Sequence, residues 1–213
     1  MKIHDISVGH TTTRPGDFPE EAIPEIAFLG RSNVGKSSLI NSLTQRRKLA
    51  QRKKLARTSN TPGKTRLVHW YNITRSTGDV SLVDLPGYGY AKVSRQVREE
   101  QWGKLIETYL QSSPNLLVGI QLLDIRRDGP TKLDWQMIEW TRASEVPTLY
   151  VLTKSDKLGR NKRARAVQSF ARALQLEGDE KPVPYSAVTG EGRAELWRAI
   201  DDLLQRATET SAA

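Results

Sequence analysis

Cysteine is absent from all 213 residues, which excludes a disulfide framework, a thiolate metal centre and a cysteine nucleophile. The first 25 residues contain no long apolar stretch, so neither a signal peptide nor a membrane span is expected there. The closing Glu209-Thr210-Ser211-Ala212-Ala213 carries no prenylation signal, so no membrane anchor is expected and the reading is a cytoplasmic protein. Acid is missing too, in one place: no Asp or Glu occurs between Ile26 and Gly78, where Arg31, Lys36, Arg46, Arg47, Lys48, Arg52, Lys53, Lys54, Arg57, Lys64, Arg66 and Arg75 lie. The net charge of +9 therefore comes from this block, and the rest of the chain is slightly acidic. A single-sign field of this kind suits nucleotide phosphate and a polyanion such as RNA.

What is present inside that block is a phosphate-binding loop, Gly30-Arg31-Ser32-Asn33-Val34-Gly35-Lys36-Ser37. Its glycines let successive backbone N–H groups point at phosphate oxygens, and the helix starting at Lys36 adds its positive end. The pattern assigns Lys36 to the β- and γ-phosphates and the Ser37 hydroxyl to Mg²⁺. Its context fits, with the apolar run Ile26–Leu29 before it and helically spaced Leu39, Ile40 and Leu43 after it. Asp84-Leu85-Pro86-Gly87 supplies a matching γ-phosphate sensor.

The rest of the chain alternates between strands and helices. Strands are expected over 67–73, 79–83, 116–123, 147–152 and 182–185, and helices over 96–111, 132–143, 162–176 and 193–206. Apolar strands separated by helices imply a mostly parallel α/β sheet covered on both faces. Counting Ile26–Leu29, six strands are expected. The hairpin over 67–83 would leave one antiparallel edge strand. A single domain over 25–206 follows, with an N-terminal extension, 1–24, and a C-terminal tail, 207–213.

Thr153-Lys154-Ser155-Asp156 comes straight after the fifth of these strands. A carboxylate there can accept from guanine N1–H and the 2-amino group together, and adenine leaves it unpaired, which selects GTP over ATP. Ser186-Ala187-Val188 follows the last strand, where open α/β sheets bind ligands, and the Ala187 N–H is a donor for guanine O6.

Four segments together resemble the EngB-type branch of the TrmE–Era-like P-loop GTPases. They are Gly30–Asn41, Leu55–Thr65, Val83–Ala91 and Thr153–Asp156, and the likeness runs from about Glu25 to Leu204. The resemblance implies a three-layer GTPase fold, GTP and GDP as nucleotides, and a role in large ribosomal subunit assembly with links to cell division and septation. It assigns Gly63, Lys64, Thr65, Arg66 and Leu67 to the first switch, with Thr65 as second Mg²⁺ ligand. On spacing alone Thr58 and Thr61 compete for that role. Asp84 would act on Mg²⁺ through water, and the Gly87 N–H on the γ-phosphate. Thr153 stands where many GTPases have Asn, which leaves one amide hydrogen bond to be accounted for.

Many regulatory GTPases place a water-orienting Gln after the sensor glycine. Tyr88 stands there instead, so slow intrinsic hydrolysis is expected. Asn33 resembles the asparagine that holds K⁺ in cation-dependent relatives, and K⁺ is a candidate second cation. The chain also repeats Gln45–Ala50 almost perfectly as Gln51–Ala56, a basic insertion suited to phosphate contacts. A monomer is expected. Two other classes stay open: a GTP-dependent RNA- or protein-binding module with incidental hydrolysis, and a P-loop transferase.

Overall fold

The structure, a computed structural model, describes residues 2–14, 16–45, 67–88 and 103–211. Strand β1 is Ile3–Thr12, β2 Glu25–Gly30, β3 Val68–Arg75, β4 Val80–Asp84, β5 Leu116–Asp124, β6 Thr148–Thr153 and β7 Val183–Tyr185. Helix α1 is Lys36–Leu43, α2 Lys104–Ser112, α3 Lys132–Ala143, α4 Arg160–Ala173 and α5 Arg193–Ser211. Residues 96–102 of the expected 96–111 helix, residues 63–66 of the first switch and most of the repeated basic segment lie outside the described residues.

The strands form one sheet in the order β1-β3-β4-β2-β5-β6-β7. The six strands expected from the sequence are all present, and the N-terminal extension adds the seventh. β3 runs against both neighbours, while β2, β4, β5, β6 and β7 pair in parallel. The antiparallel strand is therefore β3, as the hairpin implied, but β1 covers it and takes the edge. Val8 of β1 stands opposite Tyr71 of β3.

The period-2 alternation of β2 explains the layering. Ile26 and Phe28 face α1 and α5 through Leu39, Ile40, Leu43, Leu196, Trp197 and Ile200. Ala27 and Leu29 face α2 and α3 through Leu105, Ile106, Tyr109 and Met137. Towards β6 a third cluster joins Leu152 and Tyr150 to Ile138 of α3 and Phe170 of α4. Every residue of β2 is buried, as a central strand covered on both faces requires. Its C-terminal end is thereby fixed where the phosphate loop begins.

The extension is fastened at the other end of β2. Phe18 packs edge-on against Tyr109, with ring centroids 5.5 Å apart, and also meets Trp70 at 6.0 Å. Beneath them Glu25, 1% exposed, accepts from Trp70 Nε1 at 2.8 Å, Tyr109 Oη at 2.7 Å and Ser113 Oγ at 2.7 Å. Burial, and then the Glu25 charge, push the Tyr109 phenol well above its ordinary range, so it stays a donor. Glu25→Ala would strand three donors in a buried site. It is expected to destabilise the fold by about 3 kcal/mol, read as a lower urea midpoint at unchanged slope. Guanine-nucleotide affinity of the folded fraction should not change, because the phosphate loop sits at the opposite end of the strand.

Candidate nucleotide site

β2 ends in Gly30, where a Cβ would come within 2.8 Å of Val34 Cγ1, so only glycine permits the chain to turn this tightly. Asn33 then takes φ 65° and Gly35 φ 116°, left-handed conformations that Asn tolerates and Gly adopts freely. Gly35 caps α1 without a side-chain hydrogen bond, so no capping side chain competes for the first-turn N–H groups. This is the cradle the motif requires, with Arg31, Ser32 and Val34 between the glycines.

Asp84 ends β4, which pairs with β2, and the pairing brings its carboxylate to the loop. Lys36 and Asp84 are both buried, and the Lys36 ammonium donates directly to Asp84 Oδ1. Leu85 is buried in the α2 layer and anchors the Leu85-Pro86-Gly87 turn. A Cβ on Gly87 would stand 3.3 Å from Ser32 N, so the sensor glycine lies hard against the phosphate loop. Ser32 N–H donates to Tyr88 O at 2.9 Å, completing a bridge between Arg31 and Tyr88.

The Tyr88 side chain turns inward. Its hydroxyl donates to Asp134 Oδ1 at 2.9 Å and accepts from Gln121 Nε2 at 2.7 Å. Burial, with the Asp134 charge second, lifts its pKa well above the usual phenol range. The ring is thus committed to the interior and lends no polar group to an attacking water. Asp134 is itself held by Thr131 in a capping box at the start of α3, so the sensor turn is tied to a rigid helix end.

The Thr153 hydroxyl donates to Val34 O at 2.7 Å and lies 3.1 Å from Leu123 O. It fastens the loop after β6 to the phosphate loop. Lys154, at φ 64°, donates from Nζ to Asn33 O at 2.9 Å and to Asp124 Oδ2 at 2.9 Å. Asp124 is a site residue that the sequence reading missed. It closes β5, where a carboxylate after an apolar run at a strand's C-terminal end was the available signal. Burial works to raise its pKa, but hydrogen bonds from Arg126 and Lys154 outweigh this and hold the carboxyl well below the usual range.

Asp156 accepts from Ser186 Oγ at 2.9 Å and pairs with Lys157 at 3.3 Å. Its partial burial opposes ionisation, yet these partners lower its pKa overall. Both depressed carboxyls stabilise the fold above their unfolded pKa of about 3.9, a contribution lost as pH falls through the folded values. Ser186 Oγ also accepts from the N–H groups of Val188 and Thr189, each at 3.2 Å, and this shapes the turn around Ala187. Val188 is exposed beside it. Ser155 is buried and donates to Glu191 Oε2 at 2.8 Å, which ties the loops after β6 and β7 together.

The described part of the site thus gathers the phosphate loop, Asp84–Gly87, Thr153–Asp156 and Ser186–Val188 at the C-terminal ends of β2, β4, β6 and β7. Gly63–Arg66 of the first switch lie outside the described residues, and Leu67 directly precedes β3. The described donor set suits a nucleoside triphosphate with Mg²⁺: a hydroxyl at Ser37, a carboxylate at Asp84 and an ammonium at Lys36.

A family model described as 50S ribosome-binding GTPase matches residues 25–154. The chain is 44% identical over 209 residues to a probable GTP-binding protein EngB of Geobacter metallireducens, covering 98% of this chain and 97% of that one. A protein of the same description from Citrifermentans bemidjiense is 46% identical over 197 residues, covering 92% and 86%. Among solved structures, a probable GTP-binding protein engB superposes with a TM-score of 0.66 at 24% identity, covering 85% of this chain and 99% of that one. Era in complex with MgGDPNP and a fragment of 16S ribosomal RNA gives 0.68 at 23% identity, covering 85% and 57%, a likeness of fold. With the phosphate loop, Asp84–Gly87, Thr153–Asp156 and Ser186–Val188 converging at the C-terminal ends of four strands, and relatives matched along nearly their whole length, the chain belongs to the EngB family of GTP-binding proteins, within the P-loop GTPases.

Proposed function

We propose that this protein is a slow GTPase switch that acts in the cytoplasm on the large ribosomal subunit during its assembly, and through that role supports cell division and septation. The observation carrying the proposal is the commitment of Tyr88 to Gln121 and Asp134. The residue placed to orient water is turned away, so efficient turnover needs a group brought by a partner. The family model's description names the 50S particle as the partner of its members.

In this reading residues 25–206 are the GTPase domain, 1–24 an extension and 207–213 a tail, and the protein works as a monomer. Lys36 neutralises the β- and γ-phosphates, and Gly87 N–H meets the γ-phosphate. Ser37 and Thr65 hydroxyls hold Mg²⁺, with Asp84 acting through water. Asn33, exposed on the loop, would hold K⁺ where charge develops. The test is single-turnover GTP hydrolysis with and without purified large subunits, in KCl and in NaCl at equal ionic strength. Subunits should accelerate hydrolysis by at least ten-fold, and more in KCl. No acceleration, together with no nucleotide-dependent co-sedimentation, would refute the assembly role. Equal rates in the two salts would remove K⁺ alone.

A further inference from the structure

α4 carries five cations, Arg160, Lys162, Arg163, Arg165 and Arg172, and no acidic residue. The helices around it mix signs. α3 sets Asp134 and Glu139 against Lys132 and Arg142, and α5 sets Glu195, Asp201, Asp202 and Glu209 among its arginines. Mixed charge keeps a helix in water without a long-range field, so a single-sign helix calls for another account.

One of the five is structural. Arg163 donates from Nη1 to both oxygens of Glu191, at 2.5 and 2.6 Å, and Glu191 in turn holds Ser155 of the guanine loop. Arg160, Lys162, Arg165 and Arg172 are exposed, and none forms an ion pair with a described residue. The acidic Glu177, Asp179 and Glu180 lie beyond the helix end and leave these four unpaired. Phe170 faces the core. On the opposite side Asn161, Arg165, Gln168 and Arg172 recur at intervals of four, three and four, a single solvent-facing stripe flanked by Lys162. At 1.5 Å per residue Arg165 and Arg172 stand roughly 10 Å apart along the axis, so the row follows a line of anions and not one ion.

We propose that this face of α4 is an RNA-binding surface that contacts the phosphate backbone without reading sequence. Arginine forks with interspersed Asn and Gln match phosphate and sugar oxygens. The stripe has no large apolar side chain, which argues against a membrane surface. This inference rests on the proposed role on an RNA-containing particle and adds to it a basic helix face, distant in sequence from the repeated segment over 45–56.

The test replaces Arg160, Lys162, Arg165 and Arg172 with Gln in the full chain. A control of equal charge replaces the exposed Arg14, Lys132, Lys181 and Arg198 with Gln. Binding to a 20-base-pair RNA hairpin is measured across a salt series, alongside sedimentation with large subunits. The α4 variant should bind the hairpin at least ten-fold more weakly, with a salt slope smaller by about 3 in log–log units. The control should stay within about two-fold of the parent, and GTP affinity and melting temperature should not change in either variant. Unchanged hairpin binding by the α4 variant, or equal losses in both variants, would overturn the proposal. So would weaker binding to polyglutamate, titrated in the same salt series, without weaker hairpin binding, which would point to an acidic protein. A parent protein that binds the hairpin yet neither sediments with subunits nor hydrolyses GTP faster in their presence would refute the assembly role and leave this surface standing.

Discussion

Asp156→Asn is expected to lower GTP and GDP affinity several-hundred-fold while xanthine nucleotides gain. The carboxylate offers two acceptor oxygens to guanine N1–H and the 2-amino group, each a charge-assisted bond of about 1.5–3 kcal/mol. Losing one and opposing the other with an amide donor totals roughly 3–4 kcal/mol, which is the stated factor. Xanthine presents a carbonyl where guanine has its amino group, so the new N–H finds an acceptor. The loop itself should hold, because Ser186 Oγ donates to Asp156 Oδ1 at 2.9 Å and an Asn oxygen can accept the same bond. Calorimetric titration of the variant with GDP and with xanthosine diphosphate reads both effects, and its melting temperature should fall only slightly, by the loss of the largely exposed Lys157 pair. Guanine affinity that stays the same would mean the base sits elsewhere. The parent should also hold GTP against a large excess of ATP, which separates it from a P-loop transferase.

The segments that converge at the strand ends were legible because their signals are local. Gly30, Gly35 and Lys36 occupy fixed offsets between an apolar strand and a helix, and the structure places them so. β1 was not legible. Its burial follows no alternation, and its His4, Asp5, Ser7 and Gly9 look like a polar leader. Only the pairing partner, β3, makes it a strand, and that is a tertiary fact. The role of Thr153 was open for the same reason, since nothing in the chain order says that Val34 O would lie 2.7 Å from its hydroxyl. That Tyr88 stands where many GTPases have Gln was legible in the sequence, but its inward turn depends on Gln121 and Asp134, 33 and 46 residues away. Helix ends were the least determinate. α5 runs to Ser211 because no Gly or Pro stops it near Arg206, and α4 begins at Arg160, two residues before its expected start.

Lys36→Ala is expected to do two separable things, because Lys36 belongs both to the phosphate site and to a buried pair. In the structure its ammonium is held by Asp84, and the two side chains are 9% and 4% exposed. Removing the lysine leaves the carboxylate buried with no cation, a fault that costs about 3–5 kcal/mol when a buried pair is broken from one side. The single variant should therefore melt well below the parent in nucleotide-free buffer. It should also lose GTP binding by at least a hundred-fold, about 2.7 kcal/mol, since no other described cation stands beside Asp84 at the end of the loop. Adding Asp84→Asn removes the stranded charge and should restore most of the melting temperature, but not the affinity for GTP. Stability and binding would then part company, as they must if one residue serves both purposes. A Lys36→Ala variant as stable as the parent would show that the pair contributes nothing to the fold. A double variant that binds GTP like the parent would show that the phosphates lie outside this loop.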